Sequence, residues 1–89
     1  MGPLQVYINK NSVQNSTVFP YIRQILQRSY ANIALSSQLY FAAHGHNTTH
    51  EVYEIVYKSF GKDPMFYTFM FALKKDVNVL SLVRFFSYP

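Results

Sequence analysis

A chain of 89 residues, 49% of them apolar, has room for one domain (1-89) with a modest core, and that composition argues against disorder. It carries 8 basic and 4 acidic residues, a net charge of +4, and no cysteine, so disulfides and thiolate sites are excluded. No apolar run approaches the roughly 18 residues that span a bilayer, and MGPLQVYINKN lacks the basic start and apolar block of a secretory leader.

In chain order, Leu4 to Ile8 alternates Leu4, Val6 and Ile8 with Gln5 and Tyr7, the period of a strand, and NKNS breaks it. STVFPYIRQILQRSY predicts a helix capped by Ser16 or Thr17, with Pro20 in its first turn. Val18, Ile22, Ile25, Leu26 and Tyr30 form one face; Arg23, Gln24, Gln27 and Arg28 form the other. ANIALSSQLYFAA returns to a period of two, with Ile33, Leu35, Leu39 and Phe41 on one side, and reads as a strand; its Ala, Leu and Gln also suit a helix. A loop containing Gly45 and Asn47 leads to EVYEIVYKSF, whose β-branched and aromatic residues predict an antiparallel strand. Thr48-Thr49-His50-Glu51 also fits a capping box, the competing helical reading.

GKDPMFYTFMFALKKD predicts a second helix. Asp63 is a suitable cap, Pro64 suits the first helical position, and Phe66, Phe69, Met70 and Leu73 follow a helical stripe ending at Lys74 and Lys75. VNVLSLVRFF closes as a strand, with Val77, Val79, Ser81, Val83 and Phe85 expected on one face. The order βαββαβ gives an α+β, ferredoxin-like domain: a four-stranded antiparallel sheet covered on one face by two helices. The other sheet face stays open.

That open face matters because 8 Tyr and 8 Phe exceed what so small a core needs. Rings left at the surface usually meet a partner, and Tyr7, Tyr40, Tyr53, Tyr57 and Phe86 are the candidate protein contacts. Every charge before Glu51 is positive, which points to a polyanion such as RNA.

His44, His46 and His50 form H-x-H-x-x-x-H. On a strand His44 and His46 share a face and could reach one zinc ion, but a tetrahedral site needs further donors. His50 or Glu51 could supply one, yet polar loops collect His, Asn and Thr without any metal, and no metal or other cofactor is expected. The histidines also lack a nucleophile elbow or paired carboxylates, so the expectation is a protein with no catalytic residues and no small-molecule substrate. KSFG at Lys58 to Gly61 resembles the start of the aromatic strand in RNA recognition motifs, before Lys62-Asp63-Pro64 breaks it.

The element order, LQVYINKNSV, and DPMFYTFMFALKKDVNVLSLV resemble the sixth small-subunit ribosomal protein family and its mitochondrial relatives. The resemblance implies a structural ribosomal protein of the mitochondrial matrix that binds ribosomal RNA beside the family's small partner, numbered eighteen in bacteria, with Lys10, Arg23, Arg28, Lys58, Lys62 and Arg84 as the candidate phosphate contacts. A second, shorter resemblance joins FGKDPMFYTF and DVNVLSLVRFFSYP to the tail of HflC, a prohibitin relative. It implies a non-catalytic interaction subunit of a membrane-associated complex and requires a helix from Thr49 to Phe60.

Overall fold

A computed structural model describes the chain at residues 5–7 and 15–89, with side chains from Val18 onward except those of residues 34–36. Its elements are β1 (Gln5–Tyr7), α1 (Asn15–Ser29), α2 (Ala31–Ser36), β2 (Ser37–His46), β3 (His50–Ser59), β4 (Phe66–Lys74) and β5 (Val79–Tyr88). The fold is α+β. Strands β2 to β5 form a four-stranded antiparallel meander, and β1 pairs outside β5, giving the order β1-β5-β4-β3-β2. Lys10, the NKNS turn, Leu4, Ile8 and the side chain of Tyr7 lie outside the described residues.

Helix α1 forms as its pattern requires. Val18, Ile22, Ile25 and Leu26 are buried at helical spacing, while Arg23, Gln27 and Arg28 face outward. It begins at Asn15, which places Pro20 beyond the first turn, where the ring deletes one backbone bond near the helix start. The helix lies against β1 and β5. Its stripe meets Tyr53 and Ile55 of β3, Phe69, Phe71 and Leu73 of β4, and Leu80 of β5, all buried. Each large side chain so buried contributes about 1.5–3 kcal/mol. Tyr30, just past α1, packs edge-on against Phe69 at 5.4 Å and against Phe85 at 4.9 Å.

The ferredoxin-like path is not followed. The segment expected as its second helix is β4, so no helix separates β3 from β4 and the two strands pair along their whole length. The i, i+3, i+4, i+7 stripe in FYTFMFALK is also compatible with alternation: Tyr67, Phe69, Phe71 and Leu73 face the helices and Phe66, Thr68, Met70 and Ala72 face away. Aromatic residues favour pleated surface, and β3 offers the neighbour that a lone helix would lack. Asp63 and Pro64 fall in the β3–β4 connection. There the Ser59 backbone N–H donates to the Met65 carbonyl at 2.8 Å, and the Met65 N–H donates to Oγ of Ser59 at 2.9 Å.

Two further corrections follow from the backbone. ANIALS is helical, as α2, and the strand starts only at Ser37; Ile33 packs against the core from that helix. In β5, Val83 is an extra residue between Leu82, opposite Phe71, and Arg84, opposite Met70. This bulge reverses the alternation, so Val79 and Ser81 lie on the open face while Phe85 lies under the helices. Within the segment from Thr49 to Phe60, His50–Ser59 is β3, whereas the resemblance to the HflC tail required a helix there. The stretch likened to the ribosomal family's closing helix is strand as well.

Candidate nucleic-acid interface

Residues opposite one another in an antiparallel sheet share a face, so the register assigns every strand side chain to the helix side or the open side. On the open side, Gln38 of β2 neighbours Lys58, which neighbours Phe66, which neighbours Tyr88. The next row runs from Phe41 through Val56 and Thr68 to Phe86, and the third from Ala43 through Glu54 and Met70 to Arg84. Tyr40, the extra residue of a bulge in β2, turns its ring to the same side and meets Phe66 edge-on at 5.3 Å.

The rings form a continuous row. Phe66 and Tyr88 stack at 5.5 Å with 14° between their planes, and Tyr88 meets Phe86 at 5.9 Å. Three of its four rings are exposed, Tyr40 at 68%, Phe86 at 45% and Tyr88 at 40%; Phe66 between them is half-buried, and Phe41 on the same face is 52% exposed. Beneath it Thr68 is almost fully covered by its neighbours. Two of the rings carry a cation. The Lys58 ammonium lies 5.7 Å from the Phe66 ring centre, and the Arg84 guanidinium lies 5.9 Å from that of Phe86. Neither cation has a carboxylate partner among the described residues. Beside Tyr40 and Lys58, a hollow of about 330 Å³ is lined also by Gln38, Leu39 and Phe60.

Of the expected phosphate contacts, the sheet brings Lys58 and Arg84 to this face, and exposed Lys62 sits in the connection that follows β3. Arg23 and Arg28 project from α1 on the helix side, away from the row. Arg23 borders a cleft of about 600 Å³ between α1 and β2, lined with Phe19, Leu26, Leu39 and Tyr57.

Of the expected ring contacts, Tyr40 and Phe86 belong to the row. Tyr53, 2% exposed, is core, and so not available to a partner. Tyr57 packs edge-on against Phe69 at 5.9 Å on the helix side. Burial pushes the hydroxyl pKa of Tyr53 above its ordinary value, and the Glu51 charge adds to this. Burial also raises that of Tyr57, partly offset by the Arg23 charge. The sequence reading missed Phe66, Tyr88 and Phe41. For Phe66 the signal was the second register of alternation in FYTFMF, masked by the Asp63-Pro64 helix start.

The histidines do not converge. His44 and His46 share the helix-side face beyond the end of the core, their rings 6.4 Å apart, whereas His50 faces the open side opposite Lys74. His44 is engaged: Nε2 donates to Oε2 of Glu51 at 2.5 Å, and its ring packs on Tyr53 at 4.9 Å. Lys75 lies 3.5 Å from the other oxygen of Glu51 and donates to the Asn47 carbonyl at 2.7 Å. The arrangement ties the β2–β3 turn to the end of β4. Among the described residues no three His, Asp or Glu side chains gather to hold a metal ion, and no described helix is long and apolar enough to cross a membrane. No protein-family model, curated protein or solved structure matches this chain.

Proposed function

We propose that the chain is a non-catalytic RNA-binding protein that holds a single strand on the open face of its sheet. The observation that carries this reading is the open-face row Tyr40–Phe66–Tyr88–Phe86, with Lys58 beside Phe66, Arg84 beside Phe86, and neither cation paired to a carboxylate among the described residues. Unstacked bases stack on aromatic side chains at about 1–3 kcal/mol per base, whatever their sequence, while lysine and arginine beside the rings neutralise phosphates. Duplex RNA offers no free base faces to such a row. The chain's net charge of +4 draws in the same polyanion from a distance.

The expected setting is a ribonucleoprotein particle, the small subunit of a mitochondrial ribosome on the sequence resemblance. With β4 a strand, that resemblance rests on LQVYINKNSV. The RNA-binding reading rests on the face itself and does not need the particle to be a ribosome.

Fluorescence anisotropy with a labelled single-stranded RNA of mixed sequence tests it. The chain binds the single strand more tightly than the matching duplex, and the double variant Phe66→Ala/Tyr88→Ala loses about 1–3 kcal/mol per stacked base. Absence of binding at low salt, or equal binding by the double variant, sinks the reading. In cell extracts, ribonuclease releases the chain from its particle; release by detergent alone would indicate a membrane-associated partner instead.

A further inference from the structure

We propose that a second copy of this chain pairs with β2, antiparallel and edge to edge, so that two molecules share one continuous sheet. Among the described residues, strand β2 is the last of the sheet and pairs only with β3. It is 10 residues long, about 33 Å at the usual rise per residue. Every residue from Gln38 to His46 is exposed, α1 lying against β1 and β5 at the far side of the sheet, although the His44 side chain is partly covered by Glu51 and Tyr53. Edge strands are normally guarded by lysine, proline, inward charge or a bulge. SQLYFAAHGH has no Lys, Arg, Asp, Glu or Pro, and its one bulge, at Tyr40, leaves Phe41 to His46 regular. The other edge is guarded: β1 covers β5 from Val79 to Ser81, and beyond it lie the Val83 bulge and Arg84.

Two features, a self-matching register and the fit of Phe41 over Gly45, identify the occupant as another copy. A two-fold axis perpendicular to a sheet requires one residue to face itself across the joint. Centred on Ala43, in the regular run, this axis sets Phe41 opposite Gly45 of the second copy and Ala42 opposite His44, with faces matched. Phe41, Ala43 and Gly45 all lie on the open side. Nothing comes within 4 Å of where a Gly45 Cβ would stand, so the exposed Phe41 ring of one copy has room over the glycine of the other, twice per dimer. An aromatic ring over an edge glycine is a known device for pinning strand register. The net charge of +4 opposes self-association of the chain as a whole, but β2 itself has no formal charge to set against its copy. The pairing also places Tyr40 and Phe41 of both copies on one face, extending the ring row across the joint.

Sedimentation velocity over a concentration series, without RNA, tests the pairing apart from any RNA affinity. The wild-type chain is expected to shift from monomer to dimer, and Ala43→Lys, which sets two ammonium groups against each other, to stay monomeric with an unchanged circular dichroism spectrum. The chain has no native cysteine, so Ala43→Cys gives a single probe. Strand partners directly opposite have Cα atoms about 4.5–5.5 Å apart, within disulfide reach. Mild oxidation therefore links Ala43→Cys into a dimer but leaves Lys62→Cys unlinked. A wild-type chain that stays monomeric at every concentration, or a dimer that Ala43→Cys fails to link, overturns the proposal; the first result would leave the edge to a strand of another protein.

Discussion

At the residue scale, exposure separates two sets of rings that look alike in the sequence. Phe69 is fully buried among α1, β3 and β5, and Phe69→Ala is expected to cost about 3–5 kcal/mol in urea unfolding, transfer and cavity terms together. Phe86 lies on the open face, and Phe86→Ala is expected to stay within about 0.5 kcal/mol of wild type while weakening RNA binding. Tyr57 adds a pH test. Its hydroxyl pKa is raised in the folded state, so the folded chain holds that proton more tightly than the unfolded chain does. Its contribution is complete below the unfolded value, near 10, and is lost as pH rises through the folded one. The urea midpoint of the wild type should therefore fall above about pH 10, and Tyr57→Phe should fall less.

At the element scale, the turns decide where the strands stop. Oδ1 of Asn47 accepts from the backbone N–H groups of Thr49 and His50, at 2.9 and 2.8 Å, and from the Thr49 hydroxyl at 3.2 Å. These bonds close the β2–β3 turn with an Asn side chain in the role of backbone. Asn47→Ala is expected to cost about 1–2 kcal/mol and to raise amide exchange at Thr49 and His50. The β4–β5 turn relies on Asn78, whose φ of 52° lies in the left-handed region. Asn tolerates that region and β-branched residues do not. Asn78→Gly should leave stability near wild type, while Asn78→Val should lower it by about 1–2 kcal/mol, read from the same urea curves.

At the scale of the whole molecule, one side of the sheet holds the domain together and the other is free to bind. The helices, Tyr30 and the buried rows of β3, β4 and β5 occupy the first; the stacked rings, Lys58 and Arg84 occupy the second. Binding to that side should be electrostatic in part. The affinity for single-stranded RNA should fall linearly on a log–log plot against salt, and Lys58→Gln/Arg84→Gln should flatten the slope by about 0.7 per contact removed. Arg28→Gln, on the helix side, should leave both affinity and slope close to wild type. Equal effects from the two sides would mean that net charge, rather than this face, does the binding.

The sequence by itself determined helix α1, the strand nature of β5 and the surplus of rings, and it favoured the antiparallel β2–β3 pair over the competing capping-box helix at Thr48–Glu51. Each of these rests on local pattern: one clean helical stripe, dense β-branched residues, or a plain count. It also marked Lys58 and Arg84 among the candidate cations. Only the tertiary structure decided that FYTFMFALK is strand, because that segment satisfies both periods and the choice falls to its neighbour: β3 supplies a full ladder of backbone partners and a matched aromatic row. The same contacts decided which rings are exposed. Tyr53 and Tyr40 are equally aromatic in the sequence, and their positions relative to α1 bury one and expose the other. The Val83 bulge, which fixes the side on which Arg84, Phe86 and Tyr88 emerge, depends on pairing between strands and leaves no mark in local composition.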